Sequence, residues 1–512
     1  DDEGNQIESS QDWRPEDLLE PLEPLVSVEI EEREVRLRIW RFLIQGGDTH
    51  SVPVLLLDAA LPENTPWDRG LTDQLYGGDE HYRLCQEALL GLGGVAALAA
   101  LGHDSRILYH MNEGHSALLT IPLLETSGAD RSGDGVSEEQ IEAVRKNCVF
   151  TSHTPVPAGH DQFPVALVRQ VLGRARTALL QEGECLLDDT LNMTYLALRF
   201  SGYINGVSMR HGEVSFDMFP GYPIHAITNG VHVVTWTCEA FQELYDRHIP
   251  GWRFDTRYLR YAIQIPHEEI QESHRRAKRE LLADVESRSG VKLDENVFTI
   301  AFARRATPYK RADLLLRDPG RLREIAARAG PLQILYAGKA HPRDEAGKEM
   351  IRRIFQASKQ LDERARLVYL KNYDWPLARQ MVAGADLWLN TPQRPREASG
   401  TSGMKAACNG VPSLSVRDGW WIEGHLEGVT GWSLLDGNAD RVEESDEVAG
   451  LYGKLERVIL PLFYQRPSAY AEIMRAAIAI NASFFNTQRV LSQYVRNAYR
   501  GLADLVEESP AL

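Results

Sequence analysis

After about residue 295 the chain alternates short apolar runs with segments of helical length, and this alternation constrains the fold more than any other feature. The apolar runs are VFTIAFA (297–303), LQILYAG (332–338), ARLVYL (365–370), ADLWLN (385–390) and VPSLSV (411–416). Helices are predicted between them at 309–330, 345–361 and 376–385. Strands that alternate with helices form parallel sheets. The sequence therefore predicts an α/β fold with a doubly wound parallel sheet.

Polar and cationic residues follow the predicted strands. The first strand is followed by Arg304, Arg305, Lys310 and Arg311. The second is followed by KAHP (339–342), the third by KNYD with Tyr373, and the fourth by EASGTSGMKA (397–406). Ligands of such sheets bind beyond the carboxyl ends of the strands. The collected cations predict a site for an anionic ligand.

The stretch EASGTSGMKA has the composition of a phosphate site. Gly400, Thr401 and Ser402 supply exposed amides and two hydroxyls at a predicted helix start, and Lys405 supplies an ammonium group. The stretch lacks the spacing of a P-loop and of a dinucleotide fingerprint. It predicts phosphate binding without saying which phosphate.

The first half of the chain is less regular. Strands are predicted from residue 35 and near residue 53, and two more run into His-containing loops at 106–112 and 148–153. The first 26 residues are expected to be irregular. The apolar run 88–102 is too short to span a bilayer, so a buried helix is predicted and no membrane partner is expected.

Composition narrows the class of protein. The 512 residues, 43% of them hydrophobic, are enough for two large domains. A net charge of −17 argues against nucleic acid as the main partner, while a small anion in a locally basic cleft remains compatible with it. Five scattered cysteines without a C-x-x-C pair predict reduced thiols, a cytoplasmic location and no metal site.

Seven motifs, in chain order, resemble those of the α-glucan phosphorylases. They are NEGHSAL (112–118), FTSHTPVPAGHDQFP (150–164), AITNGVH (226–232), ARRATPYKRADLL (303–315), YAGKAHPRDEAGK (336–348), NYDWPLA (372–378) and EASGTSGMKAACNGV (397–411). The SGTSGMK form is similar to that of the shorter bacterial and archaeal (glycogen or maltodextrin) members.

The resemblance implies two Rossmann-like domains that face each other across a cleft, the GT-B type of glycosyltransferase architecture. We expect a glucan-binding domain at 1–232, a domain for cofactor and phosphate at 233–478, and a helical segment at 479–512 that packs back on the first domain. The family also carries a glycine-rich loop upstream of this region. The first domain is therefore expected to be incomplete, and the chain as given to be impaired in catalysis.

The resemblance also implies the reaction, which is reversible, retaining phosphorolysis of an α-1,4-glucan to glucose 1-phosphate. The cofactor is pyridoxal 5′-phosphate, bound as a Schiff base to Lys405 and acting through its phosphate. The cofactor residues implied with that lysine are Gly400, Thr401, Ser402, Arg304 and Tyr373.

The substrate residues are implied in the same way. Arg305 and Lys310 match residues that bind the substrate phosphate, and His153, Asn229 and Glu397 match residues that contact the glucose. Glu113 and His115 match support for the same pocket. Asp79 matches a loop that gates the glucan channel.

Two alternatives stay open. A nucleotide-sugar glycosyltransferase similar to glycogen synthase shares the architecture but does not need the lysine of SGTSGMK. A catalytically impaired glucan-binding remnant of the family would keep the fold without turnover. Preferred glucan length, allosteric control and assembly, including a homodimer, are not decided by the sequence.

Overall fold

Two compact units make up the chain in the computed structural model, which describes residues 1–500 except 2, 10–12, 48–49, 76, 104–106, 129–135, 157–158, 436 and 438–441. The first unit comprises Ser10–Val207, Gly212–Ile227 and Gln493–Leu512. The second comprises Asp1–Ser9, Ser208–His211 and Thr228–Ser492. The sequence placed divisions at 232/233 and 478/479, whereas the units divide at 227/228 and 492/493. Residues 501–512 of the predicted C-terminal segment lie outside the described residues.

The first unit contains three sheets around its own apolar core. Its strands are β1 (Glu20–Ile30), β2 (Arg33–Gln45), β3 (Ser51–Asp58), β4 (Tyr109–Asn112), β5 (Cys148–Thr151), β6 (Gln162–Pro164), β7 (Leu186–Leu187), β8 (Thr190–Asn192), β9 (Tyr203–Gly206) and β10 (Ile224–Ala226). Its helices are α1 (Pro66–Arg69), α2 (Glu80–Ala100), α3 (Thr120–Thr126), α4 (Glu138–Arg145), α5 (Val165–Glu182) and α6 (Met193–Arg199), and α7 (Met209–Met218) begins in the second unit. Single 3₁₀ turns occur at Pro15–Asp17, Gly70–Thr72 and Gly114–Leu119, and a π-helical turn at Val495–Tyr499.

The sheets of the first unit differ in direction. β1–β2–β3 and β6–β8–β7 are antiparallel, and the order β10–β9–β5–β4 forms a parallel sheet. Parallel sheets are covered on both faces and read as continuous apolar runs, as β5 does. The carboxyl ends of β4 and β5 therefore meet at one edge, where the two His-containing loops begin.

Helix α2 confirms the predicted buried helix. By length and composition its 21 residues could cross a membrane, but half of its most apolar window is buried inside the protein. Its glycines allow close packing: a Cβ atom on Gly91 would lie 2.7 Å from the backbone nitrogen of Leu119. The helix is therefore explained as the core helix of this unit.

The expectation of an irregular start is wrong from Glu20 onward. β1 begins there and pairs with β2 in spite of Pro21 and Pro24. The register shifts between Pro21 and Leu25, and such an irregular, outer strand is where a sheet accommodates proline. Proline here interrupts the pattern without ending the strand.

The second unit is built on a six-stranded parallel sheet with a separate core. Its strands are β11 (Phe298–Ala303), β12 (Leu332–Ala337), β13 (Ala365–Leu370), β14 (Leu387–Asn390), β15 (Ser413–Ser415) and β16 (Gly431–Ser433). Its helices are α8 (Val233–Trp236), α9 (Glu239–His248), α10 (His267–Ser289), α11 (Pro319–Ala329), α12 (Glu345–Ser358), α13 (Trp375–Gly384), α14 (Thr401–Ala407), α15 (Trp421–Gly424), α16 (Glu444–Lys454), α17 (Leu460–Gln465) and α18 (Pro467–Ala476), and α19 (Thr487–Tyr494) ends in the first unit. Shorter 3₁₀ or π-helical segments lie at Thr256–Gln264, Pro308–Lys310, Leu314–Leu316, Leu455–Ile459 and Ala477–Ala482.

The strand order β13–β12–β11–β14–β15–β16 is that of a doubly wound sheet, which confirms the prediction. The predicted helix 309–330 is wrong in its first half, because α11 begins only at Pro319 with Asp318 as its N-cap. The residues before it form two 3₁₀ turns, separated by Arg311 in a left-handed conformation (φ 46°).

Candidate functional site

The strand order of the second unit reverses at β11, which pairs with β12 on one side and β14 on the other. Arg304 follows β11 directly, and its backbone passes close to Gly338 at the end of β12. A Cβ atom on Gly338 would approach the carbonyl oxygen of Arg304 to 2.0 Å, so only glycine fits there. Open α/β sheets bind ligands at such reversal points. The residues after β11 and β14 are therefore the candidate site of this unit.

Glu397 is the centre of a buried ion cluster at this point. Lys310 Nζ donates to both carboxylate oxygens, at 2.8 Å and 2.6 Å, and Arg304 Nη2 donates to Oε2 at 2.7 Å. The three side chains are only 9–11% exposed. The structure thus brings together three residues that the sequence predicted from two separate strand ends.

The cluster has more cations than anions. Burial, together with the neighbouring Arg304, lowers the pKa of Lys310 to about 7. Burial alone would raise the pKa of Glu397, but Arg304 and Lys310 hold it below its ordinary value. Arg304 Nη1 is buried without a hydrogen-bond partner among the described residues. A bound anion would satisfy this excess.

Arg305 adds a further positive charge beside the cluster. Its side chain is exposed, and no ion pair or hydrogen bond of that side chain is found in the described part of the chain. Unlike Arg304, it is therefore available to an incoming ligand. The combination of buried and exposed cations suits a site that both holds and captures an anion.

Lys405 lies on α14 with its ammonium group over an aromatic ring. Nζ is 4.1 Å from the centre of the Trp236 ring, and the side chain has no carboxylate partner among the described residues. Burial lowers the pKa of Lys405. A lysine with a lowered pKa has more of the neutral, nucleophilic amine, which is what covalent attachment of an aldehyde needs.

Among the described residues, no side chain caps the start of α14. Gly400 is its N-cap, with a φ of 84° and no side-chain cap. The Ser402 hydroxyl is fixed by two hydrogen bonds. It accepts from Trp388 Nε1 at 3.1 Å and donates to Asn390 Oδ1 at 3.3 Å. The amides of Thr401 and Ser402 thus start a helix without the usual capping side chain, a position that attracts anions.

Tyr373 and Asn229 also lie in the second unit. Tyr373 follows β13 and is partly buried, which raises the pKa of its hydroxyl to about 12. The backbone of Asn229 is fixed by Arg489 Nη2, which donates to its carbonyl oxygen at 3.0 Å. No contact of Asn229 with the ion cluster is found among the described residues.

Arg311, which the sequence grouped with the other cations, has a structural role. It ion-pairs with buried Glu447 at 2.5 Å and donates to the carbonyl oxygens of Thr391 and Pro392. Its guanidinium is thus bound by Glu447 and two carbonyl groups rather than by Glu397, so the expectation that it joins the anion site is wrong.

Two contacts of the cluster were not predicted. The Lys310 ammonium lies 4.4 Å from the centre of the Tyr309 ring. Asp418, which is buried, accepts the backbone N–H of Glu397 at 2.9 Å. Asp418 follows β15, so the rule that ligands bind beyond strand ends could have selected it.

In the first unit, Glu113 and His153 meet at the carboxyl ends of β4 and β5. Glu113 Oε2 accepts the N–H of His153 at 2.8 Å and the hydroxyl of Thr154 at 2.9 Å. His153 Nε2 lies 2.6 Å from Asn112 Oδ1, and burial lowers the pKa of the ring. Glu113 has a φ of 74°, a conformation rare for this residue type. The two predicted residues are thus brought together, with Glu113 supporting the loop that carries the histidine.

His115 belongs to a different cluster, with Arg83, Glu87 and Asp161. His115 Nδ1 lies 3.1 Å from Asp161 and 3.5 Å from Glu87, and Arg83 contacts both carboxylates. Burial alone would lower the pKa of His115, but Asp161 and Glu87 raise it to about 9. The ligand atoms of Glu87, His115 and Asp161 are close enough to hold a metal ion. However, two cations already balance the two carboxylates, so the cluster needs no metal for charge balance.

Asp79 makes the contacts of a helix N-cap. Its side chain is exposed, and Oδ1 accepts the N–H of Tyr82 in the first turn of α2 at 2.9 Å. That bond lowers the pKa of Asp79. The described residues show no contact between Asp79 and the other predicted sugar residues.

Comparison with known proteins gives one consistent result. The profile of the carbohydrate phosphorylase family matches residues 175–431. The chain is 38% identical to maltodextrin phosphorylase of Thermococcus litoralis, over 99% of this chain and 64% of that protein. It is 36% identical to glycogen phosphorylase of Aquifex aeolicus, over 92% of this chain and 73% of the relative.

A further relative is glycogen phosphorylase of Mycobacterium tuberculosis strain H37Rv. It is 36% identical over 93% of this chain and 60% of its own length. The chain therefore spans about three fifths of the length of several curated relatives that it matches.

Proposed function

This chain belongs to the carbohydrate phosphorylase family, and we therefore propose that it is an α-1,4-glucan phosphorylase. In the proposed reaction, inorganic phosphate takes the terminal glucose from glycogen or a maltodextrin, giving glucose 1-phosphate with retained configuration. The observation that carries the proposal is the buried cluster of Arg304, Lys310 and Glu397, with Arg305 beside it. An excess of fixed cations at a sheet reversal point suits a reaction that brings phosphate groups together.

Arg305 and Lys310 are assigned to the substrate phosphate. Arg305 is exposed and can capture the phosphate, and Lys310 holds its ammonium proton at Nζ where the phosphate oxygens would accept it. Because Lys310 is buried, its interaction with an anion is weakly screened. Fixed cations of this kind need no reorganisation during the reaction.

Pyridoxal 5′-phosphate fits the residues around Lys405. The lysine has a lowered pKa and no carboxylate partner among the described residues, the start of α14 has uncapped amides, and Arg304 has one unpartnered nitrogen. We assign attachment to Lys405, phosphate contacts to Gly400, Thr401, Ser402 and Arg304, and the neighbouring position to Tyr373. When bound, the cofactor supplies a phosphate group that exchanges a proton with the substrate phosphate.

Sugar contacts are assigned to His153, Asn229 and Glu397. Glu113 fixes the backbone of His153, which is consistent with a supporting role. His115, held as a cation by two carboxylates, is likewise assigned a supporting role for the sugar site. Asp79 is assigned to the loop that gates the glucan channel. Its side chain accepts the N–H of Tyr82 and so caps helix α2.

The setting of the enzyme is also proposed. The partners are an α-1,4-glucan, inorganic phosphate and glucose 1-phosphate, with a second copy of the chain as a candidate partner. All five cysteines are free thiols, four of them buried, which supports a reducing, cytoplasmic location.

The test is an assay of glucose 1-phosphate released from maltodextrin and phosphate. Any release should depend on phosphate, and borohydride reduction should fix pyridoxal phosphate to the peptide that contains Lys405. Arg305→Ala should weaken phosphate binding about ten- to hundredfold, because charge-assisted hydrogen bonds contribute about 1.5–3 kcal/mol. Glucose transfer from a nucleotide sugar, without bound pyridoxal phosphate, would instead identify a synthase-like enzyme.

A further inference from the structure

Asp418 lies directly behind the site residue Glu397 and is itself buried. Its exposed fraction is 2%. Oδ2 accepts the backbone N–H of Glu397 at 2.9 Å, and Oδ1 accepts the N–H of Gly419 at the same distance. Burial outweighs these two bonds and raises the pKa of Asp418 to about 7. Burying a carboxylate is unfavourable on its own. Because both oxygens of Asp418 accept backbone N–H groups, we expect the residue to fix the backbone around it.

Three successive residues, Asp418, Gly419 and Trp420, contact the turn that carries Glu397. After the Asp418 contact, Gly419 has a φ of 55°, and a Cβ atom there would lie 2.6 Å from the carbonyl oxygen of Ser399. Trp420 then donates its N–H to that same oxygen at 2.8 Å. The Asp418 turn therefore binds the backbone at Glu397, while the Glu397 carboxylate contacts Lys310 and Arg304.

The chemistry of this contact needs aspartate. Above its pKa of about 7, the ionised Asp418 carboxylate offers acceptors on both sides, so it can serve two amides at once. Asparagine has the same shape but only one acceptor oxygen, and its amino group would face a backbone N–H. An Asp418→Asn change would thus keep the side-chain size but replace one of the two hydrogen bonds by an unfavourable contact between two N–H donors.

We propose that Asp418 is a positioning residue for sugar binding, which acts by fixing the backbone of Glu397 so that its carboxylate stays between the cations and the bound glucose. This proposal rests on the proposed function, in which Glu397 contacts the sugar. Asp418 itself touches neither substrate nor cofactor in this assignment.

The test is a double-mutant cycle read by maltodextrin binding in calorimetry above pH 7, where Asp418 is mostly ionised, with pyridoxal phosphate content and thermal midpoint measured on the same samples. Asp418→Asn should weaken maltodextrin binding about tenfold while cofactor content stays at the wild-type level. In a Glu397→Gln background the same change should weaken binding by less than about twofold, because the residue through which it acts is already altered. The expected size follows from the loss of a hydrogen bond to a charged group.

Asp362→Asn is the matched control. Asp362 also accepts two backbone N–H groups, from Arg364 and Ala365, but both reach its Oδ1; it is exposed, and no contact with Glu397 is found among the described residues. This variant should bind maltodextrin like the wild type.

The outcomes separate the two hypotheses. If Asp418→Asn weakens binding equally in both backgrounds, or not at all, the positioning role is wrong while the proposed function stands. If the wild-type protein binds no maltodextrin, both are overturned. Should Asp418→Asn not fold, Asp418→Ser, which keeps one acceptor, is judged by the same criterion.

Discussion

Lys310 is a lysine whose surroundings oppose its positive charge. It is buried, Arg304 lies in the same cluster, and among the described residues Glu397 is the one carboxylate that hydrogen-bonds to these two cations. Its pKa of about 7 means that the folded protein loses this proton near neutrality, whereas an exposed lysine keeps it to about pH 10. Anion binding at this site should therefore depend on pH.

We expect sulfate, whose own charge is constant from pH 6 to 8.5, to bind about tenfold more weakly at the upper end of that range. The reason is the sign of the change: above pH 7 the Lys310 amine is increasingly neutral and cannot attract an anion. Calorimetry of sulfate binding measures the effect. Lys310→Arg should bind sulfate with little pH dependence, because arginine stays charged. The same pH dependence in Lys310→Met would contradict the assignment.

The predictability of the site differs from residue to residue. Arg304, Lys310 and Glu397 were found from the sequence because each follows a recognisable strand, and the edge of a parallel sheet collects such residues. Tyr309, Trp236 and Asp418 were missed because their contacts depend on where a buried side chain or a distant turn packs. Arg311 was wrongly included because its guanidinium pairs with Glu447, which lies 136 positions away in the sequence.

At the scale of elements, helix α2 contains glycines with opposite surroundings. A Cβ atom on Gly91 would lie 2.7 Å from the backbone of Leu119, whereas one on Gly94 would meet nothing within 4 Å. Gly91→Ala should destabilise the protein by about 1–3 kcal/mol, since the Gly114–Leu119 segment must move. Gly94→Ala should stabilise it by about 0.5–1 kcal/mol. Urea unfolding measures both, and equal effects would contradict this account of the packing.

A buried ion network joins α10 to the amino ends of β11 and β14. Asp386, just before β14, accepts Lys278 Nζ at 2.5 Å, His274 Nε2 at 2.8 Å and the N–H of Thr299 at 2.7 Å. These contacts fix the position of β14 next to β11. They thereby also fix the ends of these two strands, which carry the site residues.

Lys278→Met should therefore cost about 3–5 kcal/mol of unfolding free energy, because it leaves Asp386 buried with less compensation. Arg275→Met on the same helix removes an exposed pair with Glu272 and should cost less than about 1 kcal/mol. Urea denaturation compares the two. A similar loss in both variants would show that the network contributes little.

The elements themselves were predicted unevenly. β11 to β15 and helices α12 and α13 were found because long apolar runs and amphipathic segments alternate there. β6, β7, β8 and β16 have two or three residues each, too few to show any period. Two predictions near prolines were wrong in opposite ways. β1 continues past Pro21 and Pro24, whereas the helix predicted from residue 309 begins only at Pro319.

At the scale of the whole molecule, the residues proposed to hold the cofactor all belong to the second unit. Added pyridoxal phosphate should therefore slow amide hydrogen exchange in α14 and in residues 304–310, because a ligand that binds only the folded state suppresses local opening. β4 and β5 of the first unit should exchange as before. Lys405→Ala should lose the protection. Equal protection of both units would contradict the proposed location.

The membership of the two units was the least predictable property. Residues 1–9 belong to the second unit, where Gln6 exchanges two hydrogen bonds with the backbone of Ala340, at 2.8 Å and 2.9 Å. No periodicity or composition connects residues that are 334 positions apart. Such pairings follow from tertiary structure alone.

The division of the first unit has a consequence for its synthesis on the ribosome. Its last segment begins at Gln493, where Tyr494 contacts Thr151 and Asn205 and Tyr499 contacts His110. The whole of Thr228–Ser492, a segment of the other unit, is translated first. At about 5–20 residues per second this takes roughly 13 to 53 seconds. For that time the nascent first unit keeps polar groups of β4, β5 and β9 without their tyrosine partners, so its parallel sheet stays incompletely hydrogen-bonded until Tyr494 and Tyr499 have been added.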